Sequence, residues 1–135
     1  MFQYLIPVTD GAQLIAVVST DGGSSYDTTS GNYHSNGTID RAGYLLLEAI
    51  GSAANENGVA GTFHLYGPHR TNYTYAKYDI VMVRNNGNVG EGDTPTNGLG
   101  QQHLVAADVD AIKFLFTSGN IESGEIVMYG IANGT

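Results

Sequence analysis

Turn-forming clusters interrupt this chain from end to end. TDGA, STDGGSSYD, TSGN, SNGT, ENGVAG, YGPHR, RNNGNVGEGDTPTNGLG and TSGNIESGE leave only short runs between them. Each supplies residues that tolerate positive φ or close a tight turn. The runs between are apolar or alternating, and too short for a set of packed helices. Such punctuation predicts an all-β fold. Composition agrees, with 19 glycines, three prolines and only 13% charged residues. A helical domain carries more Glu, Lys and Arg on its wet faces.

Strands are predicted over Ala12 to Thr20, Tyr44 to Ile50, Val59 to Tyr66, Tyr75 to Arg84, Val109 to Thr117 and Glu125 to Ala132. Phe2, Tyr4 and Ile6 alternate and predict an edge strand ended by Pro7. The first long run is apolar on both faces, so it should be central or covered twice. Leu45 to Ile50, with Asp40 as N-cap, also fits helical spacing, as does Val105 to Phe116. Gly43, Gly51 and Gly119 bound these windows and favour strands. Seven to nine short strands point to a single antiparallel β-sandwich, jelly-roll-like, spanning residues 1–135. Its inward positions are expected to be Leu14, Val18, Phe63, Leu65, Ile80, Met82, Ile112, Phe114, Ile126 and Met128.

Thirteen acidic against five basic residues give a net charge of −8. The five bases are scattered, which argues against nucleic acid as a partner. No apolar run approaches the ~20 residues of a membrane helix, and MFQYLIPVTDG lacks the features of a secretory signal. Cysteine is absent, which excludes disulfides and thiolate chemistry.

Chemistry-bearing residues are sparse. His34, His64, His69 and His103 show no metal-ligand spacing and read as surface or internally satisfied histidines. Asp21 and Asp27 flank a Gly-Gly turn similar to oxygen-rich calcium loops, but without the spaced acids of an EF-hand; a plain turn is the simpler reading. Asp108 and Asp110 are expected on one face of a strand. No GxSxG elbow occurs. The expectation is a protein with no enzymatic activity, no cofactor and no bound metal. The best binding candidate is YGPHRTNYTYAKY, where Tyr66, His69, Arg70, Tyr73 and Tyr75 crowd together. Tyrosines give contact area at low entropic cost, for a protein interface, for plain packing or for a sugar ring. The glycine-rich segment Asn85 to Gly100 is the other candidate working surface.

The two ends carry a resemblance. LIPVTDGAQLIAVVSTDGGSSYD and DAIKFLFTSGNIESGEIVMYGI resemble a "P-x-TDG…STDGG" opening and an "F…SGNI…G-x-[IV]-x-[LM]YG[IL]" close found in small β-sandwich structural proteins of tailed-bacteriophage virions. Pro7 lies nearer the start than is usual there. The resemblance implies a non-enzymatic structural role at the virion surface and does not separate capsid decoration from tail fibre; the length, 135 residues for a free-standing sandwich, favours a capsid decoration protein. The resemblance also implies partnership with a major capsid or tail protein and assembly as a homotrimer. A tail-fibre or receptor-binding module contacting host glycan is the alternative, and a cellular carbohydrate-binding module is a weaker third, since tryptophan is absent.

Overall fold

A computed structural model describes residues 1–35, 38–87, 89–91 and 101–131. The chain forms two antiparallel sheets packed face to face, with no helix among the described residues. Among the described residues eleven strands run in order: β1 (Phe2–Pro7), β2 (Ala12–Ser19), β3 (Tyr33–Ser35), β4 (Thr38–Arg41), β5 (Tyr44–Ile50), β6 (Val59–Tyr66), β7 (Thr74–Val83), β8 (Val89–Glu91), β9 (Gln101–His103), β10 (Ala111–Phe116) and β11 (Ile121–Ile126). The larger sheet has the order β11-β1-β6-β7-β9-β3-β4, with β8 also pairing β7. The smaller is β10-β2-β5.

β7 shows how pattern becomes packing. Thr74, Ala76, Tyr78, Ile80 and Met82 are buried, and the residues between them are exposed. β2 sends Ala12, Leu14, Ala16 and Val18 into the core. Val17 is also buried, as a strand apolar on both faces requires. Both helix-compatible windows contain strands, although residues 104–110 are irregular and β10 begins only at Ala111.

Two expectations fail for identifiable reasons. β1 is not an edge strand, because it lies between β11 and β6. It also carries a bulge: Phe2 pairs Gly61 and Leu5 pairs Val59, so three steps on β1 match two on β6. The irregularity centres on Tyr4 at φ 51°. Phe2 and Leu5 therefore both face the core while Tyr4 turns outward. Gly124 makes room for it, while Gly61, opposite Phe2, admits the close approach of β7. A Cβ on Gly124 would strike the backbone of Tyr4 and Leu5, and one on Gly61 the backbone of Asp79 and Ile80. The last strand is displaced as well. It spans Ile121–Ile126, and Val127 to Ile131 are not strand. Ile126 is exposed and Met128 fully so, not inward as expected. Of the other expected core positions, Leu14, Val18, Ile80 and Met82 are buried, while Phe63, Leu65, Ile112 and Phe114 pack at its margin.

Three buried tyrosines join the sheets. Tyr33 Oη accepts from the Val18 N–H at 3.1 Å, Tyr44 Oη donates to the Thr74 carbonyl at 3.2 Å, and Tyr78 Oη donates to the Leu45 carbonyl at 2.8 Å. Gln101 Nε2 donates to both Leu45 O and Tyr78 Oη. Denaturant unfolding should show Tyr78→Phe losing about 1–3 kcal/mol. Tyr75→Phe, on the solvent side of the same strand, should stay within about 0.5 kcal/mol of the parent. Equal losses would show that the buried hydroxyl network does not hold the sheets together.

Candidate functional site at the loop end

β2 ends, β10 begins, and β6 turns into β7 at one end of the sandwich. Three connections meet there: residues 20–32, 67–73 and 104–110. Backbone bonds stitch them together, from Val109 N to Pro68 O, Leu104 N to Asn32 O, Asp110 N to Ser19 O and Asp27 N to Val18 O. Asp110 is thus not on a strand face. Its Oδ2 accepts from the Gly22 N–H at 2.8 Å and caps the neighbouring turn.

Asp21 and Asp27 have separate tasks. Asp21 Oδ1 accepts from Ser19 Oγ and the Ser25 N–H, and its Oδ2 from Ser25 Oγ. The Ser25 hydroxyl and amide, then Ser19, hold its carboxyl down at about 2. Asp27 faces a different set. Its Oδ1 accepts from the Thr29 N–H at 2.8 Å. Its Oδ2 accepts from Asn32 Nδ2 at 2.7 Å and from His103 Nε2 at 2.8 Å. Burial pushes the Asp27 carboxyl up, but the bonds from His103, Thr29 and Asn32 outweigh it and bring it to about 2. Asp27 is 19% exposed and His103 1%. His103 Nδ1 has no hydrogen-bond partner, and its ring packs on Tyr33 at 4.8 Å between centroids. His103 is therefore neither a surface nor a fully satisfied histidine. Among the described residues no group of three or more His, Asp or Glu could hold a metal ion.

A cleft of about 420 Å³ opens above this pair. Tyr26, Asp27, Thr28, Thr29, Asn32 and Val105 are among its walls. Lys113 lies over the Tyr26 ring, 5.7 Å from its centroid.

The residues singled out from sequence divide in two. Tyr66 and Tyr75 stand directly opposite each other on the outer face of the large sheet, and both are exposed. The row continues in register through Gln102 to His34. His64 stacks on Tyr66 at 6.2 Å. His69, Arg70 and Tyr73 are exposed in the connecting loop, where the Arg70 N–H donates to Gly67 O. Among the described residues no ring contact or ion pair joins these three to the Tyr66–Tyr75 pair. Tyr78, from the same stretch, packs in the core. Of the candidate surface Asn85 to Gly100, residues 88 and 92–100 lie outside the described residues; 89–91 form β8. Sequence reasoning named Asp27 as a turn residue and His103 as an ordinary histidine and missed their pairing, because 76 positions separate the partners.

No known protein family, no curated protein and no solved structure matches this chain.

The Asp27 carboxyl is lower in the folded protein than its ordinary 3.8. Its contribution to stability is therefore complete above that value and is lost as pH falls toward about 2. Thermal melts across this window should show the parent losing stability, with a shallower decline in Asp27→Asn. Asp21 titrates in the same range, so part of the slope should remain. An unchanged slope would refute the coupling.

Proposed function

We propose that this chain is a structural protein of a tailed-bacteriophage virion, a capsid decoration protein that docks on the shell as a homotrimer. One observation carries the reading. The C-terminal segment with the phage-like pattern is the part that the monomer leaves uncovered. Every residue of β11 is exposed, and its only strand partner among the described residues is β1. Beyond it Met128, Tyr129 and Ile131 are 84%, 73% and 88% exposed. Large apolar side chains in such a setting mark an interaction surface, and a bare strand edge is a ready template for pairing. Their apolar character does nothing for the fold of one copy, so it serves a neighbour.

A tail-fibre or receptor-binding module is the second reading. The outer-face row of exposed Tyr66 and Tyr75 with half-buried Gln102 and His34 favours it, because rings beside amide and imidazole groups suit recognition of a host surface.

Light scattering on the purified protein should give a trimer of the 14.2 kDa chain, and Met128→Ser/Tyr129→Ser/Ile131→Ser should give a folded monomer. A monomeric parent, or a variant that remains trimeric, would remove the C-terminal segment from the assembly surface. Cryo-electron microscopy of virions from an infection that produces the protein should place copies on the capsid lattice. Copies confined to the tail would favour the second reading, and virions without the protein would exclude both.

A further inference from the structure

We propose that the cleft above the Asp27–His103 pair is a binding site for a neutral sugar ring. Its volume, about 420 Å³, lies within the ~300–1,000 Å³ range of small-molecule sites. Its walls combine the two surfaces a pyranose presents. Val105, half-buried at its wall, offers apolar contact to a C–H face, and the half-buried Tyr26 ring offers a stacking surface. Around them stand Asp27, Asn32 and the exposed hydroxyls of Thr28 and Thr29. A sugar hydroxyl both donates and accepts. It matches a lining that mixes an acceptor-only carboxylate with hydroxyl and amide groups of both kinds.

The polar base is also fixed before any ligand arrives. Asp27 is held by three donors, and the Asp27 carbonyl accepts from Tyr33 Oη at 2.8 Å. Rigid groups lose little entropy on binding. His103 is the second sign. A 1%-exposed imidazole with an unpartnered Nδ1 is costly to bury, and an apolar ring would serve stability better. Such unsatisfied groups are a mark of functional ground. The carboxylate of Asp27, on a chain of net charge −8, disfavours phosphate and acidic sugars. With one carboxylate and one imidazole, the cleft also lacks the ligands of a cation site among the described residues.

Purified protein should be titrated with glucose, galactose, mannose and N-acetylglucosamine, and separately with sialic acid and inorganic phosphate, while amide shifts are followed by NMR. At least one neutral sugar should shift residues 19–32 and 103–105, and the two anions should not. Tyr26→Ala and Thr28→Val should each weaken that sugar about tenfold with melting temperature preserved; Thr28 is exposed, so its variant keeps the test clear of folding defects. Tyr75→Ala on the outer face should bind like the parent. No shift with any neutral sugar, shifts with the anions alone, or loss of binding only in Tyr75→Ala would overturn the assignment. The titration needs no virion, so it stands or falls apart from the virion reading. Assembly of Thr28→Val into particles should be unaffected.

Discussion

Three phenols in the core set the terms of this structure. Tyr33, Tyr44 and Tyr78 have no measurable exposure, and a buried hydroxyl without a partner costs about 1–3 kcal/mol. Each has a hydrogen-bond partner across the sandwich. Tyr33 on β3 meets Val18 on β2, Tyr44 on β5 meets Thr74 on β7, and Tyr78 on β7 meets Leu45 on β5. Apolar burial alone would let two sheets slide or rotate while losing little. A hydrogen bond of fixed length and direction does not permit that, so these bonds set the relative placement of the layers. Burial pushes the Tyr33 and Tyr44 hydroxyls far above their ordinary range, and they remain donors at any pH the protein meets.

The loop end inherits this rigidity. Tyr33 Oη both accepts from Val18 and donates to the Asp27 carbonyl, so one phenol ties the core to the floor of the cleft. His103 pairs with Thr74 on one side and Tyr33 on the other in the strand register. The Asp27–His103 bond is thereby held by backbone on two strands, not by the loop alone. Loops placed on such a frame can present groups in fixed positions while varying in sequence.

Much of this was legible in the sequence. The turn clusters and alternating runs place β2, β5, β6 and β7 within a residue or so at each end, because period-2 patterning reports burial directly. β10 was found but begins two residues later than expected. The bulge in β1 was not legible: a residue added to one strand shifts every later side chain to the other face. Phe2, Tyr4 and Ile6 alternate in letters, yet Phe2 and Leu5 share the core. β3, β4, β8 and β9 are three or four residues long, too short for any period to show. The apolar C-terminal segment reads as a buried strand because hydrophobicity alone does not say whether a side chain is covered in the fold. Tyr66 and Tyr75 were recognised, but the row they form with Gln102 and His34 depends on strand pairing.

Charge explains why the turns are built from hydroxyls and amides. Thirteen acids share five bases, so most carboxylates have no cation to meet. Asp21 is held by serines, Asp110 by the Gly22 amide, Asp10 by the Ser52 amide and Glu56 by the Ala53 amide. Bonds of this kind are short and local, and salt screens them far less than it screens ion pairs at a surface. The same imbalance bears on assembly. Copies of net charge −8 repel one another at long range, so the association proposed through β11 and the segment after it would rest on apolar contact and backbone pairing. Added salt weakens the repulsion and leaves the apolar term intact. Association should therefore tighten as ionic strength rises, the reverse of what attraction between oppositely charged surfaces produces.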